Sequence, residues 1–217
     1  MGKAALNKQF KRTSLLEHAY ALFTKKGFNK TTISDIVRES GLAKGTFYLY
    51  FKDKYDLRDQ LVAKMSSQIL LEAEKAIDDS TPRPGTVEEY LFAFVDFILY
   101  HLQQNKMQLN FISKNLSWGV FEHAFEMADE SDANNFNKIY QNFLAALQEN
   151  HYQCDTPELL LFTIIELVNS TGYNTIMYET PCTLEQYLPY LHRCIHSILE
   201  SYRVQLPAEI RPDTNPA

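Results

Sequence analysis

Between residues 44 and 54 the chain carries a dense group of side chains whose chemistry suits contact with a nucleic acid: Lys44, Gly45, Thr46, Tyr48, Tyr50, Lys52 and Lys54. A lysine can reach a phosphate or a base edge, and a threonine offers a hydroxyl to phosphate and a methyl to a thymine methyl. A tyrosine brings a phenolic hydroxyl to phosphates and an apolar ring to base edges. Gly45 has no side chain, so the helix that carries it can approach DNA closely. These residue types predict a surface that contacts duplex DNA.

The same region has the spacing of two short helices joined by a tight turn. Thr32 and Asp35 have the spacing of a capping box, Gly41 can end the helix that they start, and a second helix is predicted over residues 43–50. The apolar residues of both helices share one underside: Ile33, Ile36, Val37, Leu42, Phe47 and Phe51. The last two fill the inward stripe, so Tyr48 must point outward. This pattern predicts a helix-turn-helix with an exposed recognition helix.

Two longer helices are predicted to support this motif. The first spans residues 8–26 and has apolar residues at helical spacing, with Gly27 following as a stop. The other starts at Asp53, which can cap it, and reaches residue 76. Helix starts favour anions, so three further side chains at such positions are candidates for phosphate contact: Thr32, Ser34 and Lys54.

With these residues in place, the chain resembles the TetR family of regulators. The segment TTISDIVRESGLAKGTFYLYFKDKYDL, together with the preceding helix, is similar to the family's DNA-binding domain over residues 8–60. The resemblance implies that eight residues contact DNA: Thr32, Ser34, Lys44, Gly45, Thr46, Tyr48, Tyr50 and Lys54. It further implies double-stranded operator DNA as a partner, a helical ligand-binding and dimerisation domain, and a repressor released by a small effector.

The rest of the chain also reads as helices, so the expected fold class is all-α. A linker is indicated by DDSTPRPG at residues 78–85. Helices are predicted over residues 86–104, 107–116, 118–127, 131–149, 156–178 and 183–203. Pro189 must either kink the last helix or mark its start. We expect a three-helix helix-turn-helix domain at 1–54, a larger helical effector-binding and dimerisation domain at 55–206, and a frayed tail at 207–217.

Composition narrows the class of protein. Residues 1–58 contain 12 Lys and Arg against 5 Asp and Glu, whereas the remainder contains 9 against 22. This asymmetry is expected where only the N-terminal part of a chain contacts a polyanion. Three cysteines, Cys154, Cys182 and Cys194, lack metal-ligand spacing and suit a reducing compartment. Neither an export signal nor a membrane span is recognisable, so we expect a cytoplasmic protein without a membrane partner. Enzyme motifs such as a phosphate loop or a nucleophile elbow are missing, so neither catalysis nor a cofactor is expected.

A homodimer is expected because one recognition helix reads too few base pairs to find a site in a genome. The last two long helices have more apolar residues than one face needs, and these are the candidate interface: Leu159, Phe162, Ile165, Val168, Leu191, Ile195, Ile198 and Tyr202. The alternative is that both helices are simply core.

Aromatic residues in the middle helices could line a pocket for a lipophilic or aromatic effector: Phe97, Tyr100, His101, Trp118, Phe121, Phe125, Tyr140, Phe143 and Tyr173. Aromatic stripes are also common in plain cores, so both interpretations stay open. The larger domain could instead bind a protein partner that tunes DNA binding, and a helical enzyme or lipid carrier with an incidental hairpin is a third hypothesis.

A metal site is not predicted. His192, His196 and Glu200 lie at i, i+4 and i+8 and therefore share one helix face. Three ligands on one straight helix cannot surround an ion, so a fourth group from elsewhere would be needed. A polar flank beside the apolar stripe is the plainer interpretation.

Overall fold

The computed structural model describes residues 3–115 and 133–204, and within these ranges the regular secondary structure is helical throughout. The helices of this part are α1 (Lys3–Lys26), α2 (Ile33–Glu39), α3 (Lys44–Phe47), α4 (Lys54–Asp78), α5 (Val87–Gln104), α6 (Lys106–Asn115), α7 (Ala133–Glu149), α8 (Pro157–Tyr178) and α9 (Leu184–Tyr202). The all-α prediction is confirmed. The helix predicted over 118–127 and the tail at 207–217 lie outside the described residues.

Glycines end α1 and α2 where the sequence indicates. Gly27 has φ of +88° and its N–H donates to the Phe23 carbonyl over 3.0 Å, which closes the last turn of α1. Gly41 has φ of +66°, and its N–H donates to the Arg38 carbonyl. Residues with a Cβ rarely adopt this left-handed conformation, so the two glycines let the chain leave each helix without strain.

Side-chain caps start α2 and α4. The Asp35 N–H donates to the Thr32 hydroxyl over 3.1 Å while the Thr32 N–H donates to the Asp35 carboxylate over 2.9 Å, which is the predicted capping box. At α4, the carboxylate of Asp53 accepts from the N–H groups of the third and second residues after it, over 2.9 and 2.7 Å. Asp56, three residues after Asp53, accepts from the Lys52 N–H over 2.7 Å.

Pro189 lies inside α9, which already begins at Leu184. The N–H of Thr183 donates to the side-chain oxygen of Gln186, as expected where a polar side chain three residues into a helix satisfies the residue before it. Pro189 lies within the helix and does not mark its start, and the other predicted alternative, a kink at this residue, stays a prediction.

The chain divides into two compact units. The first contains the described parts of residues 1–75 and 98–139. Its core is formed by apolar side chains of α1 to α4, and Phe111 of α6 joins it. The members that are at most 1% exposed are Leu15, Leu16, Ala19, Ile36, Phe47, Phe51, Leu57 and Val62. The ring of Phe111 lies 5.4 Å from that of Tyr20, edge to face, and 6.1 Å from that of Phe23.

The second unit contains the described parts of residues 76–97 and 140–217. Here α8 and α9 pack against each other. Leu160, Leu191 and Ile195 are each fully buried. Polar contacts hold α9 against α5, because His192 Nε2 lies 2.7 Å from an Asp96 oxygen and His196 Nδ1 lies 3.0 Å from a Glu88 oxygen.

Candidate nucleic-acid interface

The recognition segment, defined here as residues 44–50, is shorter in its helical part than the sequence predicts. A helix is predicted over 43–50, but α3 ends at Phe47 and the remaining residues form turns. Leu49 and Tyr50 donate their N–H groups to carbonyls three residues back, over 3.3 and 3.0 Å. This tighter turn brings Phe51 into the core, where it is 1% exposed, before α4 begins three residues later.

The predicted division between inward and outward side chains is found in the recognition segment. Phe47 is 0% exposed, whereas Tyr48 is 52% exposed and the side chain of Lys44 faces solvent. Thr46 and Tyr50 are half-buried. Gly45 is exposed, and apart from its chain neighbours and the backbone of its own helix no heavy atom lies within 4 Å of the point where a Cβ would be. The packing of the chain therefore does not require glycine at this position, which leaves close approach by an external partner as a use for it.

Polar contacts hold α2 in place behind this segment. Asp35 accepts from Lys26 Nζ over 2.7 Å, from the Thr32 hydroxyl over 2.8 Å and from Arg38 Nη2 over 3.0 Å. The Lys26 ammonium and the Thr32 N–H hold the pKa of the Asp35 carboxyl well below its usual range. Thr32 and Ser34 are exposed at the start of α2, but the Thr32 hydroxyl already donates within the protein.

The contacts of Lys54 differ from those that the sequence predicts. Its Nζ donates to the carbonyls of Phe28 and Thr31 over 2.8 and 2.9 Å and lies 4.2 Å from the centre of the Phe28 ring. The predicted phosphate contact has to be corrected, because two of the three N–H donors of this half-buried ammonium are used inside the chain. Lys54 instead ties the turn between α1 and α2 to the start of α4.

Two further features near the recognition segment are not among the predicted site residues. Leu49 is 76% exposed, and its position two residues after Phe47, outside the inward stripe, is the signal that could have found it. Arg12 of α1 donates from Nη2 to the Gln60 side chain over 2.8 Å, and its guanidinium lies 6.0 Å from the centre of the Phe51 ring. The last contact places α1 beside the residue that follows the recognition segment.

Comparison with known proteins agrees with this geometry. The family described as bacterial regulatory proteins, tetR family, matches residues 15–61, which span α2, α3 and parts of α1 and α4. The chain is 23% identical over 191 residues to the uncharacterized HTH-type transcriptional regulator YhgD of Bacillus subtilis (strain 168), covering 88% of this chain and 93% of that protein. Residues 15–61 therefore form a helix-turn-helix domain of the TetR family. The chain is thus a DNA-binding transcription regulator, and its relatives are described as regulators rather than enzymes.

Solved structures of TetR-family regulators share the fold along nearly the whole chain. One from Shewanella sp. PV-4 has a TM-score of 0.61 at 18% identity, covering 90% of this chain and 99% of its own. Another from Haemophilus influenzae RD has a TM-score of 0.56 at 19% identity, covering 94% of this chain and all of its own. These likenesses establish the fold of a helix-turn-helix domain followed by a helical domain.

The predicted effector residues fall in different units of the chain or outside the described residues. Tyr100 and His101 belong to the first unit, where His101 Nδ1 lies 3.5 Å from a Glu72 oxygen. In the second unit are Phe97, Tyr140, Phe143 and Tyr173, whereas Trp118, Phe121 and Phe125 lie outside the described residues. The Tyr140 hydroxyl donates to Glu158 over 2.6 Å, and burial together with this carboxylate raises the pKa of Tyr140. The effector pocket stays a prediction.

A cleft of about 320 Å³ lies in the first unit. None of the predicted effector residues lines it, and its walls come from the end of α1, the residues just after it, and α6. They are Phe23, Thr24, Gly27, Phe28, Met107, Asn110 and Phe111.

The predicted dimer interface needs one correction. Leu191 and Ile195 are 0% exposed, so their side chains already belong to the core and have no surface left for a second copy. Leu159 is 54% exposed, and the other predicted residues are half-buried: Phe162, Ile165, Val168, Ile198 and Tyr202. The hydroxyls of Thr163 and Tyr202 lie 2.9 Å apart, which joins α8 to α9 beside these residues.

The described residues contain neither a candidate metal site nor a candidate membrane span. In residues 3–115 and 133–204, no group of three or more His, Cys, Asp or Glu is arranged to hold a metal ion. His192 and His196 each pair with a carboxylate of α5 instead. Among the same residues, none of the helices has both the length and the apolar composition of a membrane span.

Proposed function

We propose that this TetR-family regulator is a repressor that binds operator DNA as a homodimer and is released by a small effector. The observation that carries the proposal is the recognition segment itself. Its Lys44, Gly45 and Tyr48 face outward while Phe47 and Phe51 anchor it in the core. A short segment fixed from beneath and exposed above has the form needed to enter a major groove.

The chemistry of the exposed residues divides the work of binding. Lys44 supplies a charge for a phosphate or a guanine edge, and Tyr48 supplies a hydroxyl for a phosphate. Gly45 leaves open space between them, so backbone can come close to the DNA. The excess of basic residues in the first 58 adds attraction for a polyanion without adding sequence preference.

The proposed dimer uses the apolar side chains of α8 and α9 that the core leaves accessible. Leu159 exposes more than half of its surface, and Ile198 and Tyr202 are half-buried on α9. Covering such side chains with the same surface of a second copy would remove them from water in a two-fold arrangement. A two-fold dimer in turn presents two recognition segments to two half-sites, which doubles the sequence that is read.

The proposed effector is small and lipophilic or aromatic. Support comes from the aromatic side chains of the second unit that are neither fully buried nor fully exposed, such as Tyr140 and Tyr173, which pair an apolar ring with a polar hydroxyl. An effector can release DNA only if it binds more tightly to the conformation that does not fit the operator.

Selection of DNA by the full-length protein tests the proposal. Duplexes enriched from a random library should share a two-fold symmetric sequence, with half-site centres one helical turn or a multiple of it apart. The mass of the complex in sedimentation should correspond to an even number of protomers on each duplex. Failure to enrich any sequence would contradict operator binding, and a single protomer on each duplex would contradict the dimer.

A further inference from the structure

The exposure of Leu49, in the recognition segment, is not explained by packing within the chain. This side chain is 76% exposed, although Phe47 and Phe51 on either side of it are 0% and 1% exposed. A single exposed leucine is ordinary on a protein surface. This one, however, lies between Tyr48 and Tyr50 in a segment whose other exposed side chains suit contact with DNA.

The backbone places Leu49 about one turn after Gly45. Its N–H donates to the Thr46 carbonyl over 3.3 Å, and the Phe51 N–H donates to the Phe47 carbonyl over 3.0 Å, so the backbone keeps turning in helical fashion past the end of α3. Phe47 and Phe51, four residues apart, are both buried in the core, and Gly45 and Leu49, also four apart, are both exposed. Leu49 therefore follows Gly45 on the side where the absence of a Cβ leaves open space.

An apolar side chain in that position has a restricted chemistry. Leucine cannot form a hydrogen bond with a phosphate or with a polar base edge, whereas the C5-methyl group of thymine is an apolar group that faces the major groove. We propose that Leu49 contacts a thymine methyl in each half-site and so determines the preference for a T·A pair there. The inference rests on the proposed DNA contact by this segment and goes beyond it by naming the base that is read.

The size of the effect follows from the methyl group. Removing one apolar carbon from a buried contact changes an equilibrium constant by about fourfold. Loss of the whole leucine side chain beyond Cβ removes three carbons and, at about fourfold each, should weaken binding by up to about sixtyfold per half-site. Both changes are well within the range of a titration by fluorescence anisotropy.

Deoxyuridine substitution isolates the proposed contact, because it removes the thymine methyl and leaves base pairing intact. Each thymine of a duplex selected by the full-length protein is replaced in turn, in both half-sites. Dissociation constants are measured for the wild type, Leu49→Ala and Leu6→Ala. Leu6 is a matched control, since it is a leucine of the same unit that is 54% exposed and lies on α1, away from the recognition segment in sequence.

The expected result is non-additive. Wild type and Leu6→Ala should each lose about fourfold per half-site at one thymine position when its methyl is absent. Leu49→Ala should bind the thymine duplex up to about sixtyfold more weakly per half-site and lose nothing more at that position when the methyl is absent. Its thermal midpoint should match the wild type, because an exposed side chain contributes little to the core.

Three results would overturn the inference. One is a selected sequence without thymine in its half-sites, and another is equal binding by Leu49→Ala and wild type. The third is a deoxyuridine penalty that persists unchanged in Leu49→Ala. If Tyr48→Ala loses affinity while any of these holds, only the reading of thymine by Leu49 fails. If no duplex is enriched, the proposed function fails as well.

Discussion

The helix-turn-helix region and the second unit hold their helices together with different chemistry. Around α2 the fastening groups are lysines, as in the Lys26–Asp35 pair at 2.7 Å and the Lys54 bonds to two carbonyls. In the second unit, α9 is fastened to α5 by histidines, His192 with Asp96 and His196 with Glu88. A histidine–carboxylate pair is ionic only while the imidazole is protonated, and Glu88 raises the pKa of His196. We therefore expect pH to affect the second unit more than the helix-turn-helix region.

The strongest way to break this comparison is to remove the apolar support of the recognition segment. Phe47 is 0% exposed, so Phe47→Ala should lower the free energy of unfolding of the helix-turn-helix region by about 4 kcal/mol. Denaturant unfolding monitored by hydrogen exchange of α1 to α3 would measure it, with Tyr48→Ala as the neighbouring control. A small effect in Phe47→Ala would show that lysine contacts contribute more than apolar packing to the free energy of unfolding of this region.

Replacing Lys54 should cost less and separates its two candidate roles. Lys54→Met leaves the Thr31 carbonyl without the Lys54 donor, whereas the Phe28 carbonyl keeps the Thr31 N–H, so stability should fall by about 2 kcal/mol. DNA affinity should fall with it, but the dependence of affinity on salt should stay as in the wild type, because no phosphate contact is lost. The exposed neighbour Lys52→Met is the control. A salt slope smaller by about one in Lys54→Met would restore the phosphate contact that the sequence predicts.

The exposed side chains of the recognition segment should show the opposite behaviour, because their replacement should change DNA binding and leave stability nearly unchanged. Lys44→Ala and Tyr48→Ala should each weaken operator binding by about 1–3 kcal/mol while the thermal midpoint stays nearly constant. The salt slope should fall by about one for Lys44→Ala if it contacts a phosphate. Tyr190→Ala, 58% exposed in the second unit, is the control that should bind DNA as the wild type does. Unchanged affinity in both variants would remove these side chains from the interface.

The smallest expected effect is the pH dependence of the second unit. Glu88 raises the pKa of His196 in the folded chain above its value of about 6.5 in an unfolded one. The stability that this pair contributes is therefore fully present below about pH 6.5 and is lost as the pH rises through the folded pKa. Asp35 behaves in the opposite sense, because its pKa is lowered and its contribution is lost only in acid, below its unfolded pKa of about 4.

Hydrogen exchange of α9 and α2 peptides between pH 6 and 8 tests this difference, after correction for the intrinsic pH dependence of exchange. Protection of α9 should fall with rising pH in the wild type and change less in His196→Gln, while protection of α2 stays level. His196→Gln removes the titrating imidazole and keeps a polar side chain. Equal slopes for wild type and variant would show that His196 does not govern the pH response of α9.

Local rules determined much of this protein from the sequence alone. The Thr32–Asp35 capping box, the ends of α1 and α2 at Gly27 and Gly41, and the burial of Phe47 beneath Tyr48 all depend on residues within a few positions of each other. Hydrogen bonds within a helix turn and allowed φ angles are properties of short segments, so the sequence predicts them. The resemblance to the TetR family depends on the same short segment.

Only the tertiary structure decided which helix faces pack against other parts of the same chain. The Lys54 ammonium meets carbonyls more than twenty residues away, and Leu191 and Ile195 are buried in the core rather than left for a second copy. The apolar stripe of α9 looks the same in sequence whether it packs within the chain or between chains. Its partner is distant along the chain, and periodicity carries no information about distant partners.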